Sequence, residues 1–450
     1  MIGIHFASFG RAAAGLALIG SLAACSGGLF GGGGDEKTTP TVGNRVPVLS
    51  RIVNGAAADP ALAGLSVVLP PPTVNSEWAQ AGGNAGKSNG HVALAENPKI
   101  AWTANIAGST NRRRLASSPV VGGGKLFAVD TGGVVHAFDA QSGAKSWTYR
   151  MTVGDGLESS AFGGGASYNG GRIYATNGVG EVVALDASTG TEIWKAKPAG
   201  PLRGAPTVAF NAAFVMTQDN QIVALSTTDG SNLWSESGSS TQAGVFGVAA
   251  PSAGQGTIIA GYSSGELAAY RYENGRTLWS DALARTSIST EVGALTDIDA
   301  DPIIDQGRVY ALGQGGRMAA YELVTGQRIW EITVAGISTP AIAGEWIFAL
   351  TDDARMLAIA RATGKIRWIT QMERFKDAKD KEGPIFWTGP VLAGNSLWAA
   401  STEGELHRIS IGEGSSSLFM DMKEPISLAP IAANQTLYIL DDSGRITALR

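Results

Sequence analysis

The sequence predicts an all-β fold: a single eight-bladed β-propeller built from four-stranded antiparallel blades. Three observations support this prediction. One set of turn and strand residues recurs along most of the 450-residue chain. The 61 glycines and 18 prolines disfavour long helices. The repeat also becomes complete only when an isolated strand near the N terminus joins the last unit near the C terminus. Four-strand repeats of this kind are typical of propellers.

The repeat is aligned on an alanine within an apolar strand, present in seven of eight units. The aligned residues are Ala137, Ala184, Ala224, Ala269, Ala320, Ala358, Arg408 and Ala448. Six residues later, the first seven units carry Gly143, Gly190, Gly230, Gly275, Gly326, Gly364 and Gly414. A glycine at one fixed turn position predicts a hairpin that requires positive φ. Glycine also stands four residues before the alignment position, except at Asn220 and Ala354.

A proline and a tryptophan mark the two ends of each unit. Eighteen residues before the alignment position stand Pro119, Ala166, Pro206, Pro251, Pro302, Pro340, Pro390 and Pro430. Ten residues after it stand Trp147, Trp194, Trp234, Trp279, Trp330, Trp368 and Leu418. Proline is tolerated at the first residue of a strand. Each unit therefore begins with a strand A after the proline and ends with a strand D that carries the tryptophan.

The eighth unit predicts how the ring closes. Ala448 lies two residues from the last residue given, so this unit has no strand D of its own. Residues 99–103 form a strand with Trp102 but have no strands A to C before them. Pairing the two fragments removes two exposed sheet edges, which would otherwise favour aggregation. We therefore expect the N-terminal strand to complete the eighth blade.

Residues 1–24 are predicted to be a lipoprotein signal peptide. Arg11 precedes an apolar stretch at 12–21 that is too short to span a bilayer. The following Leu22-Ala23-Ala24-Cys25 resembles a lipobox, which implies cleavage before Cys25 and lipidation of that residue. Several acyl chains on one residue anchor a protein stably. The non-acidic Ser26 implies sorting to the outer membrane of a Gram-negative bacterium, facing the periplasm.

The rest of the N-terminal region divides by composition. Residues 25–47 contain the lipidated cysteine and a glycine-rich polar stretch, which predicts a flexible tether. Residues 48–90 carry no pattern that assigns a structure. Residues 91–450 are predicted to contain the propeller.

Composition and motifs argue against several functions. The formal net charge of −5 disfavours nucleic acid as the main partner. His5, His91, His136 and His407 have no metal-ligand spacing, and no nucleophile elbow, P-loop or CxxC motif occurs. We therefore predict no catalytic residue, no cofactor and no metal ligand.

The spacing of Asp297, Asp299 and Asp301 suggests three possible roles. An EF-hand-type calcium loop would need glycine and glutamate where this chain has Pro302 and Arg308. A solvated acidic loop is the second possibility. A contact with a protein partner is the third and is favoured.

All variation in length within the repeat falls between strand D of one unit and strand A of the next. Because strand direction alternates, these D–A connections share one face of the propeller with the B–C turns. The A–B and C–D turns lie on the opposite face. Variable loops on a rigid scaffold commonly carry function, so the D–A face is the candidate binding face. Its long connections are 285–302 and 372–390, the second charged and then aromatic at Phe386 and Trp387.

The pattern from Ala184 to Trp194 resembles the repeats of pyrroloquinoline-quinone (PQQ) dehydrogenases. This resemblance implies an alternative function, a periplasmic quinoprotein enzyme. Many such enzymes use a vicinal disulfide and a calcium ion at the quinone. The single cysteine of this chain excludes that disulfide.

The lipobox, the tether and all eight repeats together resemble the BamB family, the propeller lipoproteins of the outer-membrane β-barrel assembly (BAM) complex. Residues 201–206 and 295–299 resemble two family loops that contact BamA, although Gly200 replaces a family leucine. The resemblance implies a non-catalytic scaffold that binds the POTRA domains of BamA through Leu202, Arg203, Asp297 and Asp299. Other BAM subunits and unfolded outer-membrane proteins are further implied partners. A propeller that binds an unrelated partner is a third interpretation.

Overall fold

The computed structural model describes residues 56–239, 249–283 and 297–450. Within these residues, eight four-stranded antiparallel sheets form the blades of a propeller. The predicted fold class is therefore confirmed. The predicted signal peptide at 1–24, Cys25 and the predicted tether lie outside the described residues. No helix in the described part of the chain is long and apolar enough to cross a membrane.

The strands follow one another in chain order, and blades are numbered by their strand A. The N-terminal strand is β1 (Ile100–Asn105). Blade 1 has β2 (Val120–Gly122), β3 (Lys125–Val129), β4 (Val134–Asp139) and β5 (Lys145–Arg150). Blade 2 has β6 (Ala166–Asn169), β7 (Arg172–Thr176), β8 (Val182–Asp186) and β9 (Glu192–Ala196). Blade 3 has β10 (Leu202–Ala209), β11 (Ala212–Thr217), β12 (Gln221–Ser226) and β13 (Asn232–Ser237). Blade 4 has β14 (Ser252–Gly254), β15 (Thr257–Gly261), β16 (Glu266–Arg271) and β17 (Thr277–Ala282).

The second half continues the pattern and adds a hairpin. Blade 5 has β18 (Ile303–Asp305), β19 (Arg308–Gly313), β20 (Arg317–Glu322) and β21 (Arg328–Ile332). Blade 6 has β22 (Ala341–Ala343), β23 (Trp346–Leu350), β24 (Arg355–Ala360) and β25 (Ile366–Gln371). The hairpin between blades 6 and 7 is β26 (Phe375–Asp377) and β27 (Glu382–Pro384). Blade 7 has β28 (Trp387–Ala393), β29 (Ser396–Ser401), β30 (Glu405–Ser410) and β31 (Ser416–Asp421). Blade 8 has β32 (Ile431–Ala433), β33 (Thr436–Leu440) and β34 (Arg445–Leu449). Short 3₁₀ turns lie at Pro60–Leu62 and Glu158–Ser160.

The eighth blade closes as predicted. Strand β1 pairs antiparallel with β34, with Trp102 opposite Ala448. The backbones of Lys99 and Arg450 exchange two hydrogen bonds of 2.8 Å. Because β1 supplies strand D, the eighth blade contains no C–D turn.

The turn positions have the backbone conformation that the repeat predicts. The seven glycines six residues past the alignment position have φ between 70° and 76°. Ala354, which departs from the glycine pattern at the B–C turn, still has φ 58°. The repeat therefore conserves the conformation of this turn even where it loses the residue that adopts it most easily.

Tryptophans join seven of the eight blades to the blade that follows. The indole Nε1 of Trp194 donates to the carbonyl of Thr227 in the neighbouring blade at 3.0 Å. A Cβ added at Gly230 would lie 2.5 Å from the Trp194 ring, so this turn glycine makes room for the indole. Equivalent indole–carbonyl bonds are made by Trp102, Trp147, Trp234, Trp279, Trp330 and Trp368.

Blade 7 lacks this tryptophan, and the structure explains why. The bond needs an acceptor in the C–D turn of the following blade, and blade 8 has no such turn. Leu418 aligns with the tryptophans in sequence, but it pairs with His407 instead of the alignment residue Arg408 and is 53% exposed, whereas Trp102 and Trp194 are below 9%. The substitution therefore coincides with the one blade junction, among the described blades, whose following blade has no C–D turn to accept the indole hydrogen bond.

Residues 73–94, called here the hub segment, lie across the A–B end of the central channel. Trp78 exchanges backbone hydrogen bonds of 2.9 and 2.8 Å with Val121 of blade 1. Five further residues of the hub segment accept one backbone hydrogen bond each from blades 2, 4, 5, 7 and 8. In that order of blades, the accepting carbonyls belong to Ala79, Ala85, Gly86, Val92 and Asn75. The Gln80 side chain bonds Val208 of blade 3. Blade 6 is contacted just upstream, where Asp59 N donates to Ile366 O at 2.8 Å. Among the described residues, the hub segment therefore covers the A–B end of the channel.

Candidate partner-binding face

The D–A face surrounds a central cavity of about 490 Å³, called here the funnel. Its walls are the residues just before strand A in most blades, and its floor is the hub segment from Trp78 to Gly90. Gly204 and Ala205 of the first predicted loop line this cavity, as do Asp299 and Asp301 of the second. The structure therefore brings the two sequence-predicted loops to one site.

The first loop is held by backbone hydrogen bonds between blades 2 and 3. Pro201 O accepts from Gln218 N at 2.8 Å, and Gly204 N donates to Gly163 O at 3.0 Å. The Thr176 hydroxyl donates to Gly204 O at 2.6 Å. These bonds fix the position of the Arg203 backbone within β10, opposite Met216. The side chain of Arg203 lies outside the described part of the structure.

Leu202, which the family resemblance implies as a contact residue, is buried in the structure. Its side chain is only 4% exposed and packs with Val182, Trp194 and Val223 in the core between blades 2 and 3. Strand β10 begins four residues before Pro206, so Leu202 lies within the strand and opposite Thr217, and not in the exposed part of the connection. In this chain Leu202 therefore positions the loop from beneath.

The acidic loop is also anchored, from Asp297 onward. Asp297 is 2% exposed, and its carbonyl accepts from Gln314 N at 2.9 Å. Asp299 is half-buried and faces the funnel. Asp301 accepts a hydrogen bond from Ala250 N at 2.7 Å, and its own N–H donates to the Thr339 hydroxyl at 3.0 Å. Leu295 and Thr296 of this loop lie outside the described residues.

Lys87 brings a buried cation to the floor of the funnel. Its side chain is 3% exposed, and its Nζ donates to the Thr207 hydroxyl at 3.0 Å. Burial lowers the pKa of Lys87 to about 8, although attraction to the Asp301 carboxylate opposes this change. Burial likewise raises the pKa of Asp301, against the attraction of Lys87 and the hydrogen bond from Ala250. The attraction between the two opposite charges partly offsets the cost of burying each of them where neither is well solvated.

The far rim of the funnel is apolar. Ile337, before blade 6, is 50% exposed, and Phe386, before blade 7, is 62% exposed. The backbone of Phe386 is fixed, since its N–H donates to the Thr402 hydroxyl at 3.1 Å and its carbonyl accepts from Thr402 N at 2.9 Å. Trp387 beside it is buried, with Nε1 donating to Glu373 O at 2.7 Å.

The histidines are in separate structural contacts. His91 lies between the carbonyls of Pro70 and Gly394. His136 contacts the Asp130 carboxylate at 2.8 Å, and His407 contacts the Ser416 hydroxyl at 2.9 Å. Within the described ranges, no group of three or more His, Cys, Asp or Glu side chains is arranged to hold a metal ion.

Sequence reasoning identified the acidic loop, Phe386 and Trp387 but missed Lys87 and Ile337. Lys87 lies in the segment where no pattern assigned a structure. Ile337 lies in the shortest of the D–A connections, from Trp330 to Pro340. Neither position carried a motif, because the cavity forms only when distant blades and the hub segment come together.

Comparison with known proteins identifies the family. A family model described as "Outer membrane protein assembly factor BamB" matches residues 84–161 and 132–370. The chain is 31% identical to the protein of that name from Vibrio cholerae over 357 residues, which covers 78% of this chain and 88% of the relative. The chain belongs to the BamB family. The Escherichia coli K12 member is 26% identical over 359 residues, again covering 78% and 88%.

Solved structures share the fold of this BamB-family chain. BamB from Moraxella catarrhalis aligns with a TM-score of 0.64 at 18% identity, covering 78% of this chain and 99% of that one. Quinohemoprotein alcohol dehydrogenase from Comamonas testosteroni also aligns with a TM-score of 0.64, at 13% identity, covering 83% and 80%. Both similarities establish the propeller architecture and do not separate the two functions.

Proposed function

We propose that this BamB-family chain is a non-catalytic scaffold of the BAM complex that aids folding and insertion of β-barrel proteins into the outer membrane. The observation that carries the proposal is that the family's two loops border one cavity on the variable face of the propeller. A rigid ring with one variable face suits a protein that holds partners in place.

The proposed partner is the periplasmic POTRA region of BamA, held together with other BAM subunits. Arg203 would donate bidentate hydrogen bonds to a partner carboxylate or backbone, since arginine is common in interface hot spots. Asp299 would provide the complementary acidic contact, and Asp297, which is 2% exposed, would act indirectly by holding the loop in place. Leu202 would act indirectly, by holding the backbone of Arg203 in β10 from inside the blade.

The proposed location is the periplasmic side of the outer membrane, through acyl chains on Cys25. Support comes from the lipobox-like residues 22–25. The described chain begins at Ala56, beside strand β25 of blade 6, where Ala56 O accepts from Arg355 at 3.4 Å.

Co-purification from detergent-solubilised envelopes tests the partner. A tagged full-length chain is expected to retain BamA, and Arg203→Ala and Asp299→Ala are each expected to lose most of it. Thr189→Ala is the matched control, because Thr189 is exposed in a C–D turn on the opposite face. If the two loop variants retained BamA at the wild-type yield, the proposed contact would be wrong.

The fold shared with the dehydrogenases supports one alternative, a quinoprotein enzyme. Addition of PQQ and calcium to the purified protein tests it directly. The scaffold proposal expects no bound-quinone absorbance and no dye reduction with alcohols or sugars. Stoichiometric uptake of the quinone would favour the enzyme instead.

A further inference from the structure

We propose that the funnel binds a short, uncharged segment of unfolded polypeptide and places one of its aromatic or aliphatic side chains between Ile337 and Phe386. This inference rests on the proposed scaffold function and adds a client site to it. The site lies on blades 6 and 7, across the cavity from Arg203 of blade 3.

The shape of the funnel suits a chain segment. The hub segment closes the A–B end, so an occupant enters from the D–A face and ends against Gly82, Asn89 and Gly90. The cavity of about 490 Å³ falls within the range of sites that bury small ligands. A blind cavity of this size accommodates a few residues of extended chain and excludes a folded domain.

The charge of the lining disfavours an ionic occupant. The charged side chains of the described lining are Lys87, Asp299 and Asp301. Lys87 and Asp301 attract each other, and Asp299 has an interaction of its own. A charged ligand would lose its hydration without gaining a dedicated counter-ion here. A peptide backbone is neutral and avoids that cost.

The polar groups of the lining match a peptide backbone. Ser117, Ser338 and Thr388 line the funnel, and their hydroxyls make no hydrogen bond to any other residue in the described part of the chain. A hydroxyl both donates and accepts, so each of these side chains can bind either an amide N–H or a carbonyl. Three such groups around one cavity fit an extended segment whose donors and acceptors alternate.

The apolar groups match a side chain of that segment. Ile337 and Phe386 are among the large apolar side chains that remain more than one-third exposed, and both line the funnel. Because Thr402 holds the backbone of Phe386, its ring needs little ordering when it binds a ligand. An unfolded β-barrel segment, which alternates apolar and polar residues, offers both kinds of contact at once.

A binding experiment with the whole soluble chain tests the inference. The probe is a capped, uncharged nine-residue peptide that alternates phenylalanine with threonine and glutamine, titrated by calorimetry. Matched probes are the same peptide with alanine for phenylalanine, the same peptide with lysine for glutamine, and a glucose oligomer. The wild-type chain is expected to bind the first probe at least tenfold more tightly than the other three.

Two variants locate the binding. Phe386→Ser removes an exposed ring and is expected to weaken binding roughly tenfold or more. Ser338→Trp fills the funnel, leaves both rim residues in place, and is expected to abolish binding. Leu233→Ser is the control, because Leu233 is 51% exposed on the outer strand β13, away from the funnel. Unchanged melting temperatures verify that each variant folds.

The outcomes separate this inference from the proposed function. If Phe386→Ser and Ser338→Trp bind the peptide like the wild-type chain, or if the sugar binds best, the client site is wrong. If both variants lose the peptide but retain BamA, the client site and the scaffold function both stand. If the wild-type chain binds the peptide but never retains BamA, the scaffold proposal fails while the peptide site remains.

Discussion

Substituting the turn glycines measures how strongly the tryptophans join neighbouring blades. Gly230 has φ 73°, and a Cβ there would lie 2.5 Å from Trp194 Cε3. Alanine at this position therefore suffers two penalties. Forcing a non-glycine residue into the left-handed region costs about 1–2 kcal/mol. Displacing a packed ring costs about 1–3 kcal/mol more. Gly230→Ala should lower the free energy of unfolding by about 2–5 kcal/mol.

Two matched glycines separate the penalties. Gly171 has φ 80° but nothing within 4 Å of an added Cβ, so Gly171→Ala should show the backbone penalty alone, about 1–2 kcal/mol. Gly412 has open space and no positive φ, so Gly412→Ala should change stability by less than about 1 kcal/mol. Equilibrium unfolding in urea, followed by circular dichroism, gives all three values.

A double-mutant cycle then identifies the indole as the cause. Trp194→Leu installs the residue type that blade 7 carries at this position, as Leu418. In that background the cost of Gly230→Ala should fall to the backbone penalty, because the ring no longer opposes the new methyl group. If Gly230→Ala costs no more than Gly171→Ala, or if the two changes at the junction are additive, the proposed joining role of the tryptophan is refuted.

Three further predictions concern the hub segment, ring closure and anchoring. The folded pKa of Lys87 is lowered to about 8 from 10.5, so the unfolded chain holds more protons between these values and stability should rise with pH there. The free energy of unfolding of the wild-type chain, measured in urea relative to that of Lys87→Met, should rise by about 3 kcal/mol between pH 7 and 10.5. If the difference between the two free energies does not change with pH, the burial of this cation is contradicted. Deleting residues 436–450 should expose β1 and cause aggregation or proteolysis, whereas a protease-resistant product with unchanged melting would oppose the shared eighth blade. Cys25→Ser should abolish lipidation, and a covalently lipidated variant in the outer-membrane fraction would disprove the lipobox assignment.

The repeat predicted the blades because every blade needs the same residue types at the same turns and strands. Glycine at the C–D turn, proline before strand A and tryptophan in strand D are side-chain requirements, so they recur visibly in the sequence. Closure by β1 was predictable because the eighth unit lacks a strand D, whereas residues 99–103 form a strand D without strands A to C before it. The hub segment was not predictable by the same reasoning. Most of its contacts with the blades are backbone hydrogen bonds, such as Ala85 O with Ala253 N and Gly86 O with Ile304 N, which place little demand on residue type.

The sequence predicted which face of the propeller carries the candidate site, but it did not predict which side chains are buried or paired there. Length variation singled out the D–A connections, and residues of several of these connections line the funnel. The burial of Leu202 was missed, because strand β10 starts four residues before its proline, earlier than any other strand A, so Leu202 lies inside a strand and not in the connection before it. The buried pair of Lys87 and Asp301 joins residues more than two hundred positions apart, and only the closed ring brings them near each other.

The most direct test of the account is the affinity of the purified soluble chain for the purified POTRA domains of BamA. Removing one partner of a desolvated charged hydrogen bond costs about 2–5 kcal/mol, or roughly thirty- to several-thousand-fold in affinity. Arg203→Ala and Asp299→Ala are each predicted to lose binding on this scale, while Thr189→Ala on the opposite face binds like the wild-type chain. Equal affinity for all four proteins, or a loss confined to Thr189→Ala, would contradict the assignment of the D–A face as the partner-binding surface.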